Sequence, residues 1–256
     1  MQNPIVDRRD TQPDPGFGWP TIALVLRFGL FLALQAITAL LLVLAGEGTP
    51  WQAAAAWWPI HATLTNLICF FLLGWLIRRE GISWSALINL DLRREVLGKD
   101  LLALAGILLL CGPVAMVPNF GLAQLLFGDM EGGVALFIQP LPMGVALASA
   151  FLFPLTQSIG ELPTYFGYAM PRLALRWQSP WKAILICAFW LGAQHLTLPL
   201  LFDGRFMLWR LGSFLPFALL LAWAVHWRPR LLPYFLVIHA LIDLPVGLMV
   251  WQAALP

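Results

Sequence analysis

The stretch PTIALVLRFGLFLALQAITALLLVLA, residues 20–45, holds one charged side chain, Arg27, in an otherwise apolar run. A helix rises about 1.5 Å per residue, so roughly 20 apolar residues cross the hydrocarbon core of a bilayer. The run is too long for a removable signal peptide, and it lacks a small-residue cleavage site. It therefore predicts a transmembrane helix that stays in the mature protein.

The rest of the chain has the same character. Of its 256 residues, 60% are hydrophobic and 11% are charged, and the mean hydropathy is +0.80. This composition lies far from that of soluble domains and predicts an all-α, polytopic transmembrane helix bundle surrounded by a lipid bilayer. The net charge is only +2, with basic residues in short clusters between apolar runs, so we expect no nucleic-acid partner.

The predicted organisation is a bundle with two parts, N-terminal transmembrane helices at 20–118 and a second helix bundle at 140–252. Between the second and third spans, apolar residues at helical intervals above a charged face predict an interfacial helix at 82–98. Residues 119–135 are predicted to form a loop, and residues 1–19 a disordered cytoplasmic leader. The seven predicted spans are 20–45, 54–77, 100–118, 140–166, 181–199, 209–226 and 231–252.

The basic residues also predict an orientation. Twelve Lys and Arg residues fall on the side of the N-terminus, and two fall in the loops of the other side. Cytoplasmic loops carry an excess of positive charge, so we expect the N-terminus in the cytoplasm and the C-terminus outside. The expected location is the bacterial inner or plasma membrane.

Four ionisable residues lie deep in the predicted spans. Counted from the nearest cytoplasmic basic residue, Glu161, His195 and His239 lie at depths of about 16, 20 and 14 Å. Asp243 stands on the same helix face as His239, one turn deeper. An ionisable group at mid-membrane costs roughly 2.5 to 3.5 kcal/mol, so we expect these four to face one another.

Other polar residues have simpler interpretations. His61 is expected to form a hydrogen bond between helices. Arg27 stands near the cytoplasmic start of its helix, from which a long side chain can reach the headgroups, and pairing with an acid is the less favoured interpretation. Asp203, Arg205 and Arg210 are expected to be surface charges in a loop.

The four deep residues suit hydrolysis of an amide. A carboxylate and an imidazole can take a proton from water, while a second imidazole with a polar neighbour stabilises the oxyanion. Alternatively, Glu161, His195, His239 and Asp243 can act as metal ligands for zinc, with one position left for water. The residues alone leave both routes open.

Three motifs resemble those of the CPBP (Abi, CAAX-processing) intramembrane endopeptidases. The segment GELPTYFGYAMPRL, residues 160–173, is similar to a first motif of Glu-Glu-x-x-x-Arg followed by Gly-Tyr and Pro-Arg-Leu, which places Glu161 on its first glutamate. FWLGAQHL resembles the second motif and gives His195, and HALID resembles the third and gives His239 and Asp243. The first-motif match is anchored on Gly167, Tyr168, Pro171, Arg172 and Leu173.

The resemblance implies an endopeptidase acting on a membrane-embedded or membrane-tethered peptide or protein, with 140–252 as its catalytic bundle. It implies that Glu161 and His195 activate water, while His239 and Asp243 assist at the oxyanion or at a metal. The first motif is divergent, because Leu162 and Phe166 replace its second glutamate and its arginine.

Those two replaced side chains can pair with each other, so their joint loss leaves no orphan charge. Pro163 cannot donate to the carbonyl of Ile159, which predicts a kink in the helix. Asp243 also differs in chemistry from Asn, since an ionised carboxylate can only accept hydrogen bonds.

Three other functions fit the same residues. One is a catalytically inactive membrane scaffold or immunity protein, in which the polar cluster only fixes the packing of helices at contacts such as Gly192. Another is a transporter, whose ion path would use acids and broken helices at the midplane. The third is a haem protein ligated by His195 and His239.

Overall fold

The computed structural model describes residues 18–91 and 93–256, apart from the side chains of 94–96, so nearly all of the predicted leader at 1–19 lies outside the described residues. These described ranges contain helices, turns and loops, and no strand. Six helical segments within them are long and apolar enough to cross a bilayer, which confirms the all-α, polytopic class. The α-helices are α1 (Gly18–Leu44), α2 (Pro50–Ala55), α3 (Trp58–Arg79), α4 (Trp84–Leu87), α5 (Arg94–Phe127), α6 (Met130–Val134), α7 (Met143–Leu162), α8 (Met170–Trp177), α9 (Pro180–Ala193), α10 (Gly204–Trp227) and α11 (Leu232–Gln252).

Three segments depart from α-helical geometry. A π-helical segment, Pro163–Ala169, joins α7 to α8 and makes them one continuous path through the bundle. A 3₁₀ turn, Gln194–Thr197, follows α9, and another, Pro229–Leu231, precedes α11.

The prediction of seven spans was wrong by one. The predicted span at 181–199 contains α9, which has 14 residues and therefore rises only about 21 Å, less than the hydrocarbon core. The helix ends at Ala193 because the next two polar residues, Gln194 and His195, form the 3₁₀ turn and are buried inside the protein. An apolar run thus continues past the end of its helix.

Two other boundaries differ from the predictions. The helix predicted at 82–98 is only the single turn of α4, because Asn89 adopts a left-handed backbone conformation (φ 56°) soon after it, and residue 94 already begins α5. The loop predicted at 119–135 is largely helical, since α5 continues to Phe127 and α6 follows. Pro118 does not end α5, as is common for prolines in transmembrane helices.

Helix α7 occupies the centre of the bundle. It packs mainly against α11 on one side and α3 on another, while α10 packs against both α9 and α5. Helix α1 contacts α3, the π-helical segment and the 3₁₀ turn after α9. This arrangement brings side chains from α1, α7, α9, α10 and α11 to a common interior.

Glycines permit the closest helix contacts. A Cβ atom on Gly160 of α7 would lie 2.9 Å from the Cα atom of Asn66 in α3. A Cβ atom on Gly247 of α11 would lie 2.6 Å from the carbonyl oxygen of Ala150 in α7. Gly192 also lies at a helix contact, as expected, since a Cβ atom there would lie 3.2 Å from the Cα atom of Leu215 in α10.

We expect Gly247→Ala to lower the free energy of unfolding by about 1 to 3 kcal/mol, because the added methyl group meets rigid backbone and must push α11 away from α7. Gly106→Ala is a matched control, since Gly106 lies within α5 and a Cβ atom there meets nothing within 4 Å. Thermal unfolding in detergent, followed by circular dichroism, measures both. Equal melting temperatures for the two variants would contradict the close contact.

Candidate active site

A cavity of about 150 Å³ lies within the bundle between α5, α7, α10 and α11. A buried water needs at least about 10 to 15 Å³, so the cavity has room for several. Its wall is mainly apolar and contains all four of the deep ionisable residues singled out from the sequence. The polar residues that line it are Gln157, Glu161, His195, Arg210, His239 and Asp243.

One oxygen of the Glu161 carboxylate is held by three donors. The side-chain amides of Gln157 and Gln194 each donate to Oε2 at 2.5 Å, and Arg27 Nη2 lies 3.5 Å from the same oxygen. Gln157 stands one turn before Glu161 on α7, while Gln194 and Arg27 come from the 3₁₀ turn and from α1. All four side chains are almost fully buried.

Arg27 also orients the two amides. Its Nε donates to Gln194 Oε1 at 2.6 Å, and its Nη2 donates to Gln157 Oε1 at 3.2 Å. Because a guanidinium only donates, both amides must turn their oxygens toward Arg27 and their NH₂ groups toward Glu161. Those NH₂ groups need an acceptor, which an ionised Glu161 carboxylate provides.

The other oxygen of Glu161 lies next to His239. The distance between Glu161 Oε1 and His239 Nε2 is 3.6 Å, slightly too long for a direct hydrogen bond. A water in the cavity can contact both atoms from one side. His239 Nε2 also lies 3.2 Å from Asp243 Oδ2, one turn along the same helix. His239 therefore stands between two carboxylates.

His195 reaches the cavity from a different direction. Its Nδ1 lies 2.9 Å from the carbonyl oxygen of Leu191, which can only accept, so Nδ1 carries the proton and Nε2 keeps its lone pair. The imidazole stacks on Phe214 of α10, with ring centroids 3.6 Å apart and an angle of 10° between the planes. In the described part of the chain, Glu161 forms hydrogen bonds with Gln157, Gln194 and Arg27, and not with His195.

The π-helical segment explains how α7 presents Glu161. Pro163 has no N–H group and cannot bond to the carbonyl of Ile159, as the sequence indicated. At this proline the α-helix gives way to the π-helical segment, and the Thr164 hydroxyl donates to the carbonyl of Gly160 at 2.6 Å. Single π-helical turns within α-helices are frequent at functional sites.

Two expectations for basic residues were wrong. Arg27, expected to extend to the headgroups, is 0% exposed and pairs with Glu161. Arg210, expected on the surface, is 8% exposed and lies within α10. The sequence places a residue along a helix but does not show which way its side chain turns.

The two glutamines were missed altogether. Their positions in the sequence could have indicated a role in the site, since both are polar residues within apolar runs. Gln157 stands four residues before Glu161, and Gln194 directly precedes His195. Each is buried, at 2% and 0% exposure. The expected structural role of His61 agrees with its geometry, since its Nε2 lies 2.9 Å from the Thr38 hydroxyl, away from the cavity.

The wall of the cavity includes side chains of α5 and α11, two helices that make few or no direct contacts, and some of these side chains also reach the outer surface of the bundle. Leu108 of α5 and Ile242 of α11 both line the cavity, and they are 38% and 52% exposed. In a bilayer this surface faces lipid chains. An apolar segment can therefore approach the polar residues from the membrane.

Comparison of the chain with models of protein families, with characterised proteins and with solved structures finds no match.

Proposed function

We propose that this membrane protein is an endopeptidase that hydrolyses a peptide bond of a membrane-embedded or membrane-tethered peptide or protein. The observation that carries the proposal is the different surroundings of the two carboxylate oxygens of Glu161. One carboxylate oxygen is fixed by three buried donors, while the other faces an imidazole in a cavity large enough for water. The three motifs that resemble those of the CPBP family support the same reaction.

In this proposal, the attacking water lies in the cavity in contact with both Glu161 Oε1 and His239 Nε2. Glu161 takes one proton of this water as its oxygen attacks the carbonyl carbon of the peptide. The C–O bond forms and the carbonyl electron pair moves to oxygen. Glu161 then gives the proton to the leaving nitrogen, the C=O bond reforms as the C–N bond breaks, and the products are a new carboxylic acid and a new amine.

The two histidines have different positions for this reaction. His239, rather than His195, is the imidazole adjacent to the carboxylate, with Asp243 beside it to favour a proton on Nε2. That N–H group can hold the water by its oxygen. His195 keeps a lone pair on Nε2 and can accept a hydrogen bond from a second water or from the substrate.

Zinc held by the same residues is the alternative to this metal-free route. His239 Nδ1 and Asp243 Oδ2 have no hydrogen-bond partner among the described residues, but a catalytic zinc site needs three protein ligands. In the described part of the chain, no group of three His, Cys, Asp or Glu side chains is arranged to hold a metal. We propose the metal-free route, and the effect of EDTA in the experiment below distinguishes it from the zinc route.

The test is cleavage by the purified protein in dodecyl maltoside. Suitable substrates are quenched fluorescent peptides that each contain one apolar helix of about 20 residues with a basic flank. We expect cleavage at a single bond, with one ¹⁸O atom from labelled water in the new carboxyl group, and no loss of rate in EDTA. Failure to cleave any peptide of a broad set would contradict the proposal, and loss of activity in EDTA with recovery in zinc would contradict the metal-free route.

A further inference from the structure

Arg210 is a buried cation without an ionic partner. It lies on α10, it is 8% exposed, and its side chain lines the cavity that contains Glu161 and Asp243. No carboxylate of the described residues lies within 4 Å of its guanidinium. A buried charge without a counter-ion carries a large desolvation cost, so this position needs an explanation.

The guanidinium is fixed along one edge. Its Nη2 donates to the carbonyl oxygen of Leu198 at 3.1 Å, and its Nε lies 3.5 Å from the carbonyl oxygen of His195. The Cζ atom of the guanidinium lies 4.8 Å from the centre of the Phe214 ring, the same ring on which His195 stacks. The guanidinium has five N–H groups, and three of them have no acceptor among the described residues.

The other polar groups of the cavity are poorly suited to stabilise an oxyanion. An ionised Asp243 can only accept hydrogen bonds, and the Nε2 atom of His239 lies between two carboxylates. His195 donates from Nδ1 to a backbone carbonyl and has only a lone pair left. Arg210 is the one group that has both unused donors and a positive charge.

We propose that Arg210 is a catalytic residue that donates to the carbonyl oxygen of the scissile peptide bond, an assignment that rests on the proposed function. When the water oxygen bonds to the carbonyl carbon, the carbonyl electron pair moves onto this oxygen, and the negative charge forms beside the guanidinium. When the C=O bond reforms and the amine leaves, the charge disappears. A fixed donor aimed at such a transient charge stabilises the transition state more than the substrate.

Arg210 also completes the charge balance of the site. Arg27 is paired with Glu161, whereas Arg210 and Asp243 interact only at longer range across the cavity. The second cation is thus left available for an anion that forms during the reaction.

The test compares Arg210→Gln and Arg210→Lys with the wild type on the peptide cleaved best. We expect kcat of Arg210→Gln to fall by about 10²- to 10³-fold while KM stays within about threefold, as for other oxyanion donors. Inhibition by the same peptide with a phosphinate in place of the scissile bond should weaken by a similar factor. Arg205→Gln is the matched control, since Arg205 lies on the same helix with a side chain that is 64% exposed.

Arg210→Lys keeps the positive charge and provides a second measurement if Arg210→Gln does not fold. We expect at least a tenfold fall in kcat for this variant, because an ammonium group cannot reproduce the planar arrangement of the guanidinium N–H groups. Wild-type kcat in either folded variant would overturn the assignment. So would a rise in KM confined to peptides with a free C-terminal carboxylate, which would make Arg210 a substrate-binding residue instead. Absence of cleavage by the wild type refutes the proposed function itself, and the assignment with it.

Discussion

Glu161→Gln is expected to lower kcat for peptide cleavage by about 10⁴-fold, the upper range for the loss of a general base. The amide oxygen of the new side chain can still accept from Gln157 and Gln194, so its position is largely kept. It cannot take a proton from water, however, and its NH₂ group would face His239 where Glu161 Oε1 lies 3.6 Å away. The measurement is single-turnover cleavage of the quenched peptide.

This substitution also removes the counter-ion of Arg27, so a loss of activity must be separated from a loss of folding. The double variant Arg27→Met with Glu161→Gln removes both charges and is the appropriate control. We expect it to be folded, as judged by near-ultraviolet circular dichroism from its tryptophans, and inactive. Cleavage by either variant at the wild-type rate would end the assignment of Glu161 as the base.

Glu161→Asp separates charge from position. It keeps a carboxylate but withdraws it by one methylene group, and a misplacement of about 1 Å costs a catalytic group roughly 10²-fold. We expect its activity to lie between that of Glu161→Gln and that of the wild type, with KM little changed. A scaffold protein, the alternative in which the cluster only fixes helix packing, would tolerate both substitutions in any phenotypic assay.

Much of the fold follows from the hydropathy of the sequence, and the exceptions have a physical cause. Length and apolarity predict that a segment spans the membrane, which held for six of the seven segments. They do not show where a helix ends inside an apolar run. Helix α9 ends early because Gln194 turns inward to Glu161, and α5 passes Pro118 because a transmembrane helix can accommodate the missing hydrogen bond.

The site could be predicted only in part for a related reason. The cost of an ionisable group in the membrane singled out Glu161, His195, His239 and Asp243, and all four line the cavity. Depth along a helix does not specify the direction of a side chain, so Arg27 and Arg210 were assigned to the headgroups and to the surface. Their true partners come from helices distant in sequence, which only the packing of the bundle determines.

The buried ion pair of Arg27 and Glu161 joins two helices that are distant in sequence. The segment around Glu161 has Phe166 where the resembling motif has its arginine, and Phe166 is 1% exposed within the core. The cation that contacts Glu161 comes instead from α1, 134 residues earlier in the chain.

Arg27→Met is therefore expected to destabilise the protein by about 3 to 5 kcal/mol, the usual cost of removing one member of a buried ion pair. The loss leaves Glu161 without a cation and removes the donor that orients the amides of Gln157 and Gln194. For a chain of this size, the melting temperature in detergent should fall by roughly 6 to 20 °C. Arg205→Met, which breaks an exposed ion pair with Asp203, should change it by little.

The double variant Arg27→Met with Glu161→Gln gives the decisive comparison. If the two side chains interact as the structure indicates, neutralising both should cost less than the sum of the single substitutions, with a coupling energy of about 1 to 3 kcal/mol. The double variant should still be less stable than the wild type, because Gln157 Oε1 and Gln194 Oε1 lose the donors that Arg27 provided. Strictly additive losses in melting temperature would mean that Arg27 stabilises α1 by packing alone, and that the carboxylate has no cationic partner.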